Sequence, residues 1–589
     1  MSRRRCAANT LGVRWRFSDL RAVVVAMAAI PSLAAAATQL EAPASVRELL
    51  TLHLPLTESL APTPDAAARA ALERRLRKEA GELLATEGYF SPQLSFSDGE
   101  GQDGGLLLRV DPGPQATIGS VRIELRGALD DRRRQQLIDG WTLPSGAGFR
   151  QAAWDDAKQG LLRELLAVDH AGARLLSSLA DVEVDSGRVN LQLVYDAGPR
   201  YRYGELRITG LERYSSSLVE RFAEKLRPGA PFRQDDLLSV QTALQNSGYF
   251  SSVSVELALA DAPADGQSAG TVPVLIGLRE RAPFRVALGA GVSSNTGARV
   301  EANFNNRDFM NRAWELNTGV RLEQLRQSAY ADVFLPPDRA QRRDSFGVLV
   351  EQSDIQGLGI ERVALAAARV EQRGSIEHRL GLNWQDERQT PEGAQTTTNR
   401  ALTATTGWLW RHAEDPLDPA EGIVAQLQLG ASSKALLSDQ NFLRSYFRYS
   451  QGVALGQRDG VLLRGEVGVT FAPSRDGIPQ DYLFRAGGSN SVRGYAYQSL
   501  GVQEGTATLG GRYLLTLSAE YTHWIDAQWG VATFVDAGNA ADDREVLTLA
   551  LGYGLGARWK SPAGPLAVDL AWGQRDQQLR VHFSLAVPF

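Results

Sequence analysis

The sequence of 589 residues holds one cysteine, Cys6, and six histidines. Cys6 precedes an apolar stretch that reads as a removable leader, so the mature chain is expected to contain no cysteine. That excludes disulfides and thiolate metal centres, although export would permit disulfides. The histidines (His53, His170, His378, His412, His523 and His582) fall in no metal-ligand spacing. Positive charge is not in excess either: 63 Lys and Arg stand against 68 Asp and Glu, a net charge of −5. Nucleic acid is therefore not an expected partner. Past the leader there is no run of about 18 apolar residues, so no later transmembrane helix is expected. A secreted chain without such helices still enters a membrane as a closed β-barrel. The acidic stretch EDPLDPAEG (414–422) reads better as a turn before a strand than as a cation site. No enzyme chemistry, cofactor or metal is expected.

What is present begins with Arg3, Arg4, Arg5, Arg14, Arg16 and Arg21, followed by AVVVAMAAIPSLAAAA (22–37). A basic region, a short apolar run and an Ala-x-Ala site predict a signal peptide over 1–37. A single anchoring helix is the competing reading. The apolar run is short for a span, and Pro31 interrupts it.

Residues 38–283 mix helical and strand periods. Helices are predicted over 66–88, 216–227 and 234–248, with short strands such as VRIELRG (121–127) and ELRITG (205–210). This half repeats. DPGP (111–114) returns as DAGP (196–199), GSVRIELRG (119–127) as GELRITG (204–210), and GFRQ (148–151) as PFRQ (231–234). ATEGYFSPQLSF (85–96) resembles QNSGYFSSVSVEL (245–257). Landmarks repeating in one order predict three α+β units of about 80 residues, each ordered strand, helix, helix, strand, strand. Their boundaries are set at 38–113, 114–198 and 199–283. The middle unit lacks the GYF element and has AVDHAGARLL (167–176) instead.

From residue 284 the helical signal stops and period-2 segments follow. They include FRVALGAGV (284–292), WELNTGVRL (314–322), IVAQLQLGA (423–431), LLTLSAEYTHWI (514–525) and VHFSLAVPF (581–589). The length of 284–589 suits an all-β barrel of about sixteen antiparallel membrane-crossing strands. A soluble β-sandwich is the competing fold. An even strand number returns both barrel ends to one side. The stretch GGSNSVRGYAYQSLG (487–501) then lies in the connection between the eleventh and twelfth strands.

Face-by-face reading places Leu515, Leu517, Ala519 and Tyr521 outward and Glu520 inward. Val531, Thr533 and Val535 face out, whereas Phe534, Asp536 and Gly538 face in. Asp569 faces in from PLAVDLAW (565–572). In LTLALGYGLGAR (547–558), Gly552, Gly554 and Gly556 form an inward row, a pattern that invites the approach of another backbone. A loop over 474–506 folded into the lumen would use that space. Arg493 would then meet Glu520 or Asp536 in a charge-assisted pair. The competing reading has these acids lining a water-filled pore.

These motifs resemble the BamA/TamA family of outer-membrane assembly factors, in which POTRA repeats (polypeptide-transport-associated domains) precede a sixteen-stranded barrel. VRGY (Val492, Arg493, Gly494, Tyr495) resembles that family's loop signature. FVDAG (534–538) resembles its F-x-D-x-G strand, and GPLAVDLAWG (564–573) its Gly-Pro-Leu strand. The terminal strand, with Phe583, Leu585, Val587 and Phe589, resembles its β-signal. Three repeats resemble the TamA branch, the outer-membrane subunit of the translocation and assembly module. The resemblance implies assembly of other outer-membrane proteins, especially autotransporters, with POTRA domains in the periplasm. It further implies unfolded outer-membrane protein clients, outer-membrane lipid and a TamB-like inner-membrane-anchored subunit as partners. It implies a weak seam between first and last strands, where Gly289, Gly291 and Pro588 lie. A two-partner-secretion-type translocating pore is the alternative.

Overall fold

A computed structural model describes residues 38–56, 66–98, 106–261, 270–413, 421–561 and 564–588, without the side chains of 413 and 584–588. The expected signal peptide (1–37), most of 414–422 and Phe589 lie outside the described residues. The chain divides into two compact units.

The first unit contains two small sheets. Gln39–Glu41 pairs in parallel with Leu106–Asp111, which pairs antiparallel with Gln93–Asp98. Leu72, Leu76, Ala80 and Leu84 fall at four-residue spacing on helix Ala66–Thr86 and form one apolar stripe. That stripe packs against Leu106, Leu108 and Val110, which alternate onto one strand face, and against Val46 and Leu50 of helix Ala44–His53. The second sheet sets Arg188–Asp196 between Thr117–Arg126 and Arg174–Glu183. Its first helix, Asp131–Asp139, is capped by Asp130, whose carboxylate accepts the Arg133 N–H at 2.8 Å. Its second helix runs Gln151–Ala167.

The second unit opens with a third such sheet. Here Gly270–Glu280 lies between Tyr201–Thr209 and Phe250–Leu257. Helices Ser216–Phe222 and Gln234–Asn246 cover it. The helix expected over 216–227 ends early. Ala223 closes it by donating to the carbonyls of Val219 and Glu220, and the chain then turns to bury Leu226. Pro228 opposes a longer helix, because its ring disfavours the helical conformation at Arg227 and clashes with the carbonyl four residues back. The order strand, helix, helix, strand, strand holds in all three sheets. Where the middle repeat lacks GYF, the helix runs to Ala167 and the turn follows through Asp169, at φ 63°.

Sixteen antiparallel strands then form a barrel, from the first at Phe284–Ser293 to the sixteenth at Gln578–Pro588. The membrane-type barrel stands in place of the competing sandwich. Alternation explains it: Val286, Leu288, Val350, Leu517, Val535 and Val568 are exposed on the outer wall, a band suited to lipid. The turn after the second strand (Gly297–Phe309) packs into the third sheet's core. Ala313 joins Tyr214 and Tyr249 there, and the Tyr249 hydroxyl donates to the Ala313 carbonyl at 2.8 Å.

Candidate functional site

The connection from strand eleven (Asp459–Phe471) to strand twelve (Tyr513–Trp524) folds inward. It contains a 3₁₀ turn at Gln480–Tyr482 and a hairpin pairing Val502–Glu504 with Ala507–Leu509. The wall holds it at several heights. Glu387 accepts the Gln480 N–H at 2.8 Å, and Asp481 pairs with Arg362. The backbone N–H groups of Thr506 and Thr508 donate to the carbonyls of Glu392 and Gln356, each at 3.0 Å. Phe484, Ala486, Val492, Tyr495 and Leu500 make an apolar cluster with Leu514, Ala540 and Ala550 of the wall.

Arg493 is 1% exposed. Its backbone N–H, Nε and Nη2 all donate to the Asp536 carboxylate, at 3.0, 2.7 and 2.9 Å. Nη1 donates to Glu520 at 2.6 Å and to Asp569 at 3.2 Å. The guanidinium carbon lies 3.4 Å from the Phe534 ring centroid, in cation–π range. Glu520 and Asp536 are therefore joint partners, not rivals, and Asp569 is a third. The pore-lining reading of the acids does not hold: Glu520, Asp536 and Asp569 are 7%, 0% and 5% exposed.

The three acids do not all come from adjacent strands. Glu520 is on strand twelve, Asp536 on strand thirteen (Trp529–Ala541) and Asp569 on strand fifteen (Gly564–Gly573). Strand fourteen (Ala550–Ser561) intervenes, with Gly552 opposite Asp536 and Gly556 opposite Asp569. Its missing side chains open the gap that the guanidinium groups cross. A β-carbon on Gly552 would overlap the Arg493 carbonyl. The glycine row thus meets a loop backbone, as expected, at Gly552 alone. Gly554 instead makes room for Leu570 and the Phe534 ring, and Gly556 for Asp569 and Arg558.

Arg558 was not foreseen from the sequence. It donates to Glu520 at 2.7 Å and to Asp569 at 2.6 Å, so two guanidinium groups lie among three carboxylates. It shares parity with the inward glycine row, a signal available in the alternation. His582 was also missed: its Nε2 accepts the Gly494 N–H at 2.9 Å. Gly494 has φ 91°, and a β-carbon there would crowd the Trp572 and Gly573 backbone below 3 Å. Gly538 makes room for Val492, and the Tyr495 hydroxyl donates to the Leu551 carbonyl at 2.9 Å.

The remaining predicted residues lie at the seam. Strands one and sixteen pair only from Gly289↔Pro588 to Ser293↔Ser584, including Gly291↔Ala586, Val292↔Leu585 and Ala290↔Val587. Strand one pairs with strand two over its whole length. Phe284–Leu288 have no partner on the seam edge among the described residues. Phe583 extends the contact through its carbonyl, which accepts the Ser294 N–H at 3.0 Å.

The model of the Omp85 superfamily domain matches residues 284–589, over half of the sequence. The chain belongs to the Omp85 superfamily. A second model, the surface antigen variable number repeat (POTRA), matches residues 201–281. Similar solved structures include BamA from Haemophilus ducreyi lacking POTRA domains 1–3, at 16% identity and TM-score 0.68 over 80% of this chain and 100% of that one. They also include CdiB from Escherichia coli, at 12% identity and TM-score 0.47 over 90% and 100% of the two chains. The likeness to BamA is one of fold. An Omp85 barrel preceded by POTRA repeats implies an outer-membrane barrel with periplasmic repeats. Among the described residues no helix is long and apolar enough to cross a membrane.

Proposed function

We propose that this Omp85 protein inserts or assembles other outer-membrane proteins, autotransporters among them, as a TamA-like factor, and that it makes or breaks no covalent bond. The observation that carries this reading is the short seam. Among the described residues, the ten-residue first strand is matched by the last strand over only part of its length. An unpaired strand edge facing hydrocarbon is costly, because lipid offers no partner to its N–H and C=O groups. A client strand pairing with residues 284–288 would satisfy those groups by strand addition. The loop–wall ion network supports the same reading, since it fixes the wall of strands twelve to fifteen beside the seam while the seam yields. The proposed partners are unfolded outer-membrane clients, outer-membrane lipid and a TamB-like subunit docking on the POTRA repeats.

The test is a disulfide across Ser293→Cys and Ser584→Cys, whose backbones are register partners at the seam. Client assembly in outer-membrane vesicles should stop when this bond forms and return on reduction. Full assembly through an oxidised seam would rule the mechanism out. A large, steady bilayer conductance with the seam locked would favour a translocating pore instead.

A further inference from the structure

We infer that the VRGY loop is a clasp laid across the seam, holding both seam strands at their paired end. On one side, the Gly494 N–H donates to Nε2 of His582 on strand sixteen, at 2.9 Å. On the other, Asn295, in the turn joining strands one and two, makes a reciprocal pair with Ser489. Its Nδ2 donates to the Ser489 hydroxyl at 2.9 Å, and its Oδ1 accepts the Ser489 N–H at 3.2 Å. Ser489 and Gly494 thus join one short loop segment to both edges.

His582 makes the case specific. It is 4% exposed, and its Nδ1 has no hydrogen-bond partner among the described residues. An apolar side chain would fill that space without leaving a buried polar atom unpaired. The bond from the imidazole to the loop is what the histidine adds. Because Nε2 accepts, the neutral ring carries its proton on Nδ1. Between the two attachment points, Arg493 fastens the loop to strands twelve, thirteen and fifteen, none of which borders the seam. The loop therefore ties the movable edges to a fixed wall. Opening the seam at this end requires Asn295 or His582 to leave the loop, so breaking one of these contacts and opening the seam are one event.

The clasp regulates the seam invoked in the proposed function, and its test involves no client. Hydrogen–deuterium exchange is followed on the full chain in detergent micelles. Wild type is compared with Asn295→Ala/Ser489→Ala and with His582→Leu. Both variants should exchange about tenfold faster at 289–293 and 584–587, with strand nine (Gly422–Ser432) unchanged. Retained heat-modifiable gel mobility shows that the barrel has folded. Unchanged seam exchange in folded variants overturns the clasp. If neither variant folds, an Asn295→Cys/Ser489→Cys disulfide provides the readout. Seam exchange slower oxidised than reduced supports the clasp, and equal exchange overturns it. A responsive seam in a protein that assembles no client would remove the proposed function and leave the clasp intact.

Discussion

The carbonyl oxygen of Arg493 lies directly over Gly552, in the space a β-carbon would occupy. Both groups are main chain, so neither can swing aside as a side chain would. Gly552→Ala is predicted to lift the loop from the wall at a cost of about 1–3 kcal/mol, the usual range for overpacking. The measurement is the temperature at which the compact barrel band disappears from SDS gels. It should fall, with no defect in membrane delivery.

Removing the guanidinium is predicted to be worse. Arg493→Ala leaves Asp536 buried without its guanidinium partner and Glu520 with Arg558 alone, a loss of about 3–5 kcal/mol for a broken buried pair. Arg493→Lys should rescue little, because one ammonium cannot reproduce the forked contacts to three acids. Among the acids, Asp536→Asn should cost more than Asp569→Asn. Asp536 accepts three hydrogen bonds from Arg493 and Asp569 only one. The same gel assay ranks them.

At the joint between the POTRA sheet of residues 201–280 and the barrel, Tyr249→Phe removes the donor to the Ala313 carbonyl. The loss is about 1 kcal/mol, the net value of one hydrogen bond. Protease cleavage at the 310–313 turn should quicken while barrel heat-stability stays unchanged.

Glu280 gives the POTRA region a pH dependence of known sign. Burial alone would raise its pKa. The backbone N–H groups of Glu212, Arg213 and Tyr214, together with the Arg213 charge, outweigh burial and hold the carboxyl below its ordinary value. A depressed folded pKa stabilises the fold above the unfolded value of about 4.3 and loses that contribution as pH falls through the folded value. Protection of the 212–214 amides from exchange should therefore weaken in mild acid. Glu280→Gln should show reduced protection already at neutral pH and a flatter profile.

Much of this architecture was legible as periodicity. Alternation identified Glu520, Asp536 and Asp569 as inward acids, and repeated landmarks gave the element order of the small sheets. What periodicity does not carry is stagger. Whether Arg493 reaches one acid or three depends on the register of strands twelve to fifteen, which is set by pairing across the sheet. The seam is a stronger case, because the register of strand one against strand sixteen follows from closure of the whole barrel and not from any segment of sequence. Arg558 was within reach of the face reading, two residues beyond Gly556 on the inward parity. His582 carried no local signal, since an inward histidine on a last strand is unremarkable until the loop is in place.

The proposed assembly step is the pairing of a client strand with the open edge of strand one. The most direct test places a single cysteine at Ala287, which has no seam partner among the described residues, in a chain whose one native cysteine, Cys6, is changed to serine. It is challenged with an assembling autotransporter carrying single cysteines along its last strand. A disulfide adduct is expected to appear during assembly, shift with register in steps of two residues and disappear once the client is released. Client assembly at the normal rate with no adduct at any register would contradict the proposed step.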